Sequence, residues 1–261
     1  MKIVAARCGG LDMDYGLLQT GQMLGTRRRI PVMTFFIETT DGVVVWDTGM
    51  CTAVSHDAIG YLGRVAKRAV VPEYGEGEDV VSRLRQAGYG LDDVRMVLNS
   101  HLHFDHAGMN TAFPVAKLMV RKRELEFAER ESAGTSGAYV GSELVQGPEV
   151  VLLDYDDTHD LAADGSLQLV STTGHTPGHQ CLLVRCADGA RYLLSGDAVY
   201  DAEQLADGRT PGLVWHEPTA RASVARMAQI QRDGASVLIC HDPEQWTSEP
   251  LQLVHDDHSS A

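Results

Sequence analysis

The stretch Ser100-His101-Leu102-His103-Phe104-Asp105-His106-Ala107-Gly108 carries three imidazoles and one carboxylate within six consecutive positions. A solvated, histidine-rich loop is the plain alternative, but ordinary core packing has no use for so many polar ligands. Neutral imidazole and carboxylate are the nitrogen and oxygen donors that zinc and similar divalent metals prefer. The stretch therefore predicts a metal site.

A short apolar strand, Val94–Leu98, leads into this stretch. Residues two apart in an extended segment point the same way, so His101 and His103 can hold one ion together. Asp105 and His106 follow the strand, where a turn can direct them at a second ion.

Composition limits the classes of protein that the chain can belong to. Its 261 residues are 44% hydrophobic and 22% charged, as in an ordinary globular protein, and its formal net charge is -14. This acidic balance argues against nucleic acid and anionic membrane partners, which are bound by clustered Lys and Arg. Without a spanning apolar run or a signal peptide, and with five scattered cysteines, the chain is expected to be cytoplasmic.

The order of an apolar strand followed by a ligand-type side chain recurs three more times, at His175, Asp197 and His241. Of the two imidazoles in the stretch after residue 172, His175 is assigned as a ligand and His179 as a supporting residue. Asp197 comes at the end of an apolar strand, where a carboxylate can bridge two cations.

Asp47 ends another buried strand, Val43–Trp46. It is either a turn-forming residue or an acceptor that orients a metal-bound imidazole. Strand-rich segments lie before and after about residue 150, each with flanking helices. They predict an α/β (α+β) fold in which two layers of sheet lie between two layers of helix.

Four other segments carry expectations of their own. Arg123–Glu131 is predicted to be an exposed helix because its charges alternate at helical spacing. Ala133–Gly147 is predicted to be a mobile loop. His255–His258 is predicted to be a frayed end, with weak metal binding as the alternative. Cys51–Glu78 is expected to form a lid or an oligomer contact, so a homodimer is one expected assembly.

Four motifs, in their order and spacing, resemble the metallo-β-lactamase fold superfamily. They are His101-x-His103-x-Asp105-His106, Gly174-His175, Asp197 and His241. Asp47-Thr48-Gly49 extends the resemblance over nearly the whole chain. The resemblance implies a four-layer αββα sandwich with a dinuclear metal site, in a single hydrolase domain over residues 1–261.

Finer features resemble one branch of that superfamily, the quorum-quenching N-acyl-homoserine lactonases. They are the loop 100–108, the run 174–180, Tyr200 after Asp197, and the run 241–245. Met109 stands where we expect Gly in that branch, which leaves the ligands intact. The N-terminal region and Cys51–Glu78 match only loosely.

This resemblance implies two divalent ions per chain, with zinc as the expected metal and cobalt, manganese or iron as alternatives. One ion would be held by His101, His103 and His175, and the other by Asp105, His106 and His241, with Asp197 bridging them. Asp47 and His179 would not bind metal themselves but would position these ligands.

The implied chemistry is the opening of a lactone ring. Two cations about 3.5–4 Å apart can share a hydroxide of lowered pKa, which would attack the carbonyl of an N-acyl-homoserine lactone. Tyr200 would help to stabilise the oxyanion, and Asp105 would carry the proton of the nucleophile to the leaving oxygen. Phe104 is expected to pack beside the site and contact the substrate. A merely packed aromatic is the alternative for Tyr200.

Other activities of the same fold are the nearest alternatives. A lactonase acting on another substrate, such as pyridoxolactone, would share every ligand. A glyoxalase II-type thioesterase is a further alternative, but that family usually has a C-terminal helical extension, whereas this chain stops soon after His241. The acidic balance disfavours a nuclease. Asp105-His106 together with a bridging Asp197 disfavours a true β-lactamase, and the retained ligand positions argue against a non-catalytic metal-binding domain.

Overall fold

The computed structural model describes residues 1–132, 137–141 and 149–258, without the side chains of residues 64–69. Its strands are β1 (Lys2–Asp14), β2 (Arg27–Thr39), β3 (Gly42–Trp46), β4 (Val70–Glu73), β5 (Val94–Leu98), β6 (Lys117–Arg121), β7 (Glu149–Leu153), β8 (Thr158–Asp160), β9 (Leu167–Ser171), β10 (Gln180–Arg185), β11 (Arg191–Leu194), β12 (Ser236–Leu238) and β13 (Leu251–Asp256). Its helices are α1 (Tyr15–Leu18), α2 (Ala53–Ala69), α3 (Val80–Gln86), α4 (Phe104–Ala107), α5 (Lys122–Ser132), α6 (Ala202–Asp207) and α7 (Glu217–Arg232).

Apart from β13, strand pairing divides the chain close to the expected boundary near residue 150. The larger sheet has the order β13-β1-β2-β3-β5-β6-β7, with β4 paired to β1, and the smaller sheet has the order β12-β11-β10-β9-β8. The run β3, β5, β6 and β7 is parallel, as is the pair β11 and β12. Parallel neighbours end at the same edge of a sheet, so the loops after β3 and β5 start side by side.

Three apolar clusters show how the layers stack. Between the sheets, Phe35 and Trp46 of the larger sheet share a cluster with Leu182 of the smaller one. Leu84 of α3 belongs to the cluster on the outer face of the larger sheet, and Met227 of α7 to the cluster on the outer face of the smaller sheet. The order of layers is therefore helix, sheet, sheet, helix, which confirms the predicted αββα sandwich.

Local sequence explains these elements. β3 is a run of valines closed by Trp46, and it is buried on both faces, as expected of a parallel strand covered by other layers. α3 begins after Asp79, whose carboxylate accepts a hydrogen bond from the backbone N–H of Ser82 at 2.9 Å. It ends before Gly88, which adopts φ +92°.

The expectation of a frayed end at His255–His258 was wrong for most of that segment. β13 pairs antiparallel with β1, so that Lys2 lies opposite Asp256. The N-terminal ammonium group also forms a hydrogen bond with the carboxylate of Asp257. The partner of this edge strand lies at the other end of the chain, where no local pattern can indicate it.

The structure qualifies one further expectation. α5 forms where a helix was predicted, but it is not fully exposed, because Glu124 and Ala128 are 1% and 0% exposed. Apart from residues 137–141, the expected loop Ala133–Gly147 lies outside the described residues. Within the described part of the chain, no helix is both long and apolar enough to cross a membrane.

Candidate metal centre

Loops at the ends of β5, β9, β11 and β12 bring the seven predicted ligands together in two adjacent groups. Within each group the donor atoms lie within 4.8 Å of one another. The first ligand group is His101, His103, His175 and Asp197, and the second ligand group is Asp105, His106 and His241.

Asp197 lies between the two ligand groups. Its Oδ1 is 2.9 Å from His106 Nε2 and 3.1 Å from His241 Nε2. Its Oδ2 is 3.5 Å from His175 Nε2 and 3.9 Å from His101 Nε2. One carboxylate oxygen thus faces each group, which is the arrangement that a bridging ligand needs.

The donor atoms of the first ligand group converge on one another. His103 Nδ1 lies 2.8 Å from His101 Nε2 and 3.1 Å from His175 Nε2, and it can share a proton with only one of them. Asp197 Oδ1 is buried and accepts no hydrogen bond from the described residues. A divalent cation satisfies such atoms, and imidazole and carboxylate are ligands that zinc prefers, so these residues fit a metal site.

Asp47 holds the loop that follows β5. Its Oδ1 accepts a hydrogen bond from the backbone N–H of Ser100 at 2.7 Å, and its Oδ2 lies 2.8 Å from both Ser100 Oγ and His106 Nδ1. Asp47 has φ +57°, a conformation that Asp adopts more readily than most residues. Its contact with Nδ1 leaves Nε2 of His106 as the metal-facing atom, as an orienting acceptor would require.

His179 contacts the backbone of Asp197. Its Nε2 accepts a hydrogen bond from the N–H of Asp197 at 3.0 Å, and its Nδ1 lies 3.1 Å from the carbonyl oxygen of Thr172. Burial and the neighbouring His175 lower the pKa of His179 to about 3, so the ring is neutral and can accept. A Cβ on Gly196 would lie 2.7 Å from His179 Nε2, so this contact needs glycine there.

Backbone carbonyls orient the two histidines among the predicted ligands that come from the smaller sheet. Nδ1 of His175 lies 3.1 Å from the carbonyl oxygen of Leu213, and Nδ1 of His241 lies 2.6 Å from that of Pro31. In both rings this hydrogen bond occupies Nδ1 and leaves Nε2 to face the site.

Electrostatics differ between the two ligand groups. Burial, with the positive charge that neighbouring rings could carry, lowers the pKa of His101, which keeps it in the neutral form that binds metal. Burial also opposes the charged form of His106, but the carboxylates of Asp197, Asp105 and Asp47 outweigh it and raise its pKa. The carboxylates of the second group therefore stabilise a positive charge, which a proton or a metal cation can supply.

Tyr200 reaches the centre with its hydroxyl group, which donates a hydrogen bond to Asp197 Oδ2 at 2.7 Å. Its ring stacks on that of His241 at a centroid distance of 5.4 Å. Burial and the Asp197 carboxylate raise the pKa of Tyr200 well above its usual value, so the hydroxyl stays a donor.

Asp105 and Phe104 also lie at this centre. Asp105 Oδ2 is 3.6 Å from His106 Nε2 and 3.7 Å from His241 Nε2, and burial raises the pKa of this carboxyl. Phe104 is 5% exposed and shares an apolar cluster with Tyr200. Its predicted contact with substrate stays a prediction.

Sequence reasoning missed Ser100 and Glu124. Ser100 Oγ lies 3.0 Å from His101 Nδ1, so it connects that ring to Asp47, and its position directly before His101 was the available signal. Glu124 accepts a hydrogen bond from the backbone N–H of Leu102, between two ligands, at 3.1 Å. An acid in the first turn of a charged helix usually favours the helix dipole, so nothing in the pattern indicated its burial.

Comparison with known proteins agrees with the resemblance drawn from the sequence. The profile of the Metallo-beta-lactamase superfamily matches residues 27–241. N-acyl homoserine lactonase AttM from Azorhizobium caulinodans is 31% identical over 252 residues, which cover 95% of this chain and 95% of that protein. An N-acyl homoserine lactonase from Bacillus cereus is 29% identical over 244 residues, covering 93% of this chain and 92% of that protein.

Solved structures of such proteins are similar as well. An N-acyl homoserine lactone hydrolase with N-hexanoyl-L-homoserine bound at its catalytic metal centre matches with a TM-score of 0.80 and 26% identity, over 94% of both chains. A variant of AiiA from Bacillus thuringiensis with N-decanoyl-L-homoserine at its active site matches with a TM-score of 0.80 and 25% identity, over 94% of both chains.

Proposed function

Because the chain belongs to the metallo-beta-lactamase superfamily and aligns along its length with N-acyl homoserine lactonases, we propose that it opens the lactone ring of N-acyl-homoserine lactones. It is a metal-dependent hydrolase by family. The observation that carries the proposal is Asp197, whose Oδ1 lies 2.9 Å from His106 and whose Oδ2 lies 3.5 Å from His175. A carboxylate that faces both ligand groups favours two divalent ions, and zinc is the metal we expect.

Two bound divalent ions would supply Lewis acidity and a water of lowered pKa. The chain supplies the remaining functions. Tyr200, held protonated, can donate its hydroxyl hydrogen to the carbonyl oxygen that gains negative charge during attack. Asp105, 3.6 Å from His106 Nε2, can take a proton from the nucleophile and pass it to the ring oxygen that leaves.

Apolar side chains beside His175 support a substrate with an acyl tail. Leu213 and Trp215 are 54% and 51% exposed, and their backbones form hydrogen bonds with His175 at 3.1 and 3.0 Å. The backbone N–H of Leu213 also donates to the carbonyl oxygen of Leu17, which joins this stretch to the segment after β1. Large exposed apolar side chains next to a polar centre are typical of a site that binds an amphipathic ligand.

We also propose that residues 1–261 form one hydrolase domain, because the two sheets share one apolar cluster and both supply ligands to the centre. The homodimer expected from Cys51–Glu78 stays a prediction, and light scattering of the purified protein would test it.

A pH-stat assay of the purified, metal-analysed protein tests the proposed function. The substrates to compare are N-hexanoyl-homoserine lactone, γ-butyrolactone, pyridoxolactone, a glutathione thioester and a β-lactam. We expect base uptake that depends on metal and is fastest with the acyl-homoserine lactone, and Asp197→Asn should abolish it. Faster turnover of pyridoxolactone or of the thioester would replace the proposed substrate, and metal-loaded protein inert toward all five would refute hydrolysis.

A further inference from the structure

Glu124 is a buried carboxylate that the proposed reaction does not use. It lies in the first turn of α5 and is 1% exposed. Its Oε1 accepts hydrogen bonds from the backbone N–H of Leu102 at 3.1 Å and the hydroxyl of Tyr139 at 3.2 Å. Its Oε2 accepts from the hydroxyl of Thr176 at 2.6 Å and the backbone N–H of Gly178 at 3.0 Å.

Two of the four donors to Glu124 are immediate neighbours of the predicted metal ligands. Leu102 lies between His101 and His103, and Thr176 directly follows His175. These residues belong to two loops that come from different sheets. One carboxylate therefore ties together the loops that carry three ligands of the first group.

Two contacts show that this arrangement is tightly packed. A Cβ on Gly178 would lie 2.3 Å from the Cβ of Glu124, so only glycine allows the loop to approach α5 so closely. The ring of Tyr139 packs edge-on against the ring of His103, with centroids 4.7 Å apart. Tyr139 thus contacts both Glu124 and a ligand.

The hydrogen bonds of Glu124 lie on the side of the first ligand group. Three of its four hydrogen bonds reach the two loops that carry His101, His103 and His175, and the fourth comes from Tyr139, which packs against His103. The second ligand group has different supports, since His106 is held by Asp47 and His241 by the carbonyl oxygen of Pro31. We propose that Glu124 is a positioning residue that sets the geometry of the metal held by His101, His103 and His175, and not that of the second metal. This inference rests on the proposed two-metal function.

Glu124→Gln is the sharpest change because it keeps the shape of the side chain. A glutamine offers one acceptor oxygen, and its NH₂ group would face either the donors on the Oε1 side or those on the Oε2 side. One loop would then lose its acceptor while the other kept it. Glu126→Gln is the matched control, because Glu126 lies on the same helix and its side chain is 55% exposed.

The test uses the protein loaded with cobalt, whose absorption reports on the geometry of its ligands. A chelator is added in excess, and release of the metal is followed by absorbance for the wild type and the two variants. For Glu124→Gln we expect one of two cobalt equivalents to leave about tenfold faster, with a changed visible spectrum, because loss of an outer support weakens metal binding by about 10- to 100-fold. The second equivalent and the Glu126→Gln protein should behave as the wild type does.

Every outcome of this experiment decides one of the two proposals. If both cobalt equivalents leave the Glu124→Gln protein at the wild-type rate, or if both leave faster and the melting temperature falls, Glu124 has only a structural role. If Glu124→Gln does not fold, Tyr139→Phe takes its place, because it removes a single hydrogen bond to Glu124. It should accelerate release of one cobalt equivalent by a smaller factor. Release at the wild-type rate would refute the inference. A wild-type protein that does not bind two cobalt equivalents would instead refute the proposed two-metal function.

Discussion

Asp47→Asn tests whether the carboxylate of Asp47, which contacts His106 Nδ1, determines which ring nitrogen of His106 carries the proton. In the structure, Asp47 accepts the backbone N–H of Ser100 with one oxygen and contacts Ser100 Oγ and His106 Nδ1 with the other. The amide oxygen of an asparagine must stay with the N–H of Ser100, because an NH₂ group there would face another donor. The NH₂ group would then face His106 Nδ1 and turn that nitrogen into an acceptor. The ring proton would move to Nε2, the atom that faces Asp197 at 2.9 Å.

A protonated Nε2 cannot bind a metal ion, so the variant must reverse the tautomer or lose a ligand. Loss of such an outer support costs about 10- to 100-fold in metal affinity, or about 1.4–2.7 kcal/mol. We expect the loss at one of two metal equivalents, and a fall of at least about tenfold in kcat/KM at saturating metal. Chelator competition measures the affinity, and the pH-stat assay with N-hexanoyl-homoserine lactone measures the turnover.

Asp41→Asn is the matched control for this experiment. It makes the same chemical change at the far end of β3, in an exposed hairpin turn where Asn-Gly is as suitable as Asp-Gly. It should leave metal affinity and turnover unchanged. An Asp47→Asn protein with wild-type affinity at both equivalents would refute the orienting role and leave Asp47 as a turn-forming residue.

Three further predictions follow from the centre. Tyr200→Phe should lower kcat about 100-fold at unchanged metal content, and unchanged turnover would reduce Tyr200 to a packed aromatic. Trp215→Ala should raise KM for a decanoyl substrate more than for a butanoyl one, and equal effects on both would remove Trp215 from the acyl site. Removal of metal by dialysis against a chelator should lower the melting temperature, since a ligand at 1,000 times its Kd stabilises by about 4.1 kcal/mol. Identical melting curves with and without metal would contradict a centre built from buried ligands of both sheets.

The sequence predicted those parts of the molecule that depend on local order. β3, β5 and β9 are apolar runs, and each is followed by polar residues that leave the sheet at its edge. His101 and His103 were expected on one side of an extended segment, and their ring nitrogens do lie 2.8 Å apart. These strands and the polar residues that follow them were therefore accessible from local sequence, whereas the assignment of ligands to two ions came from the family resemblance.

Contacts between distant segments were not accessible in this way. Glu124 is 54 residues from Gly178, and β13 pairs with a strand at the opposite end of the chain. A glutamate in a charged helix has the same local sequence pattern whether its carboxylate is exposed to solvent or buried among hydrogen-bond donors. Only the packing of α5 against two loops decides which of these occurs, and that packing depends on the whole topology.

The predicted ligands are divided between the sheets, which would couple metal binding to the packing of the sandwich. The larger sheet supplies His101, His103, Asp105 and His106, and the smaller sheet supplies His175, Asp197 and His241. Each ligand group is complete only when the sheets are packed together. Metal that binds this packed form and not the separated sheets must therefore stabilise the interface between them. A cavity in that interface, such as Leu182→Ala at a fully buried position, should cost about 2–5 kcal/mol of stability and weaken metal binding, although Leu182 is not a ligand.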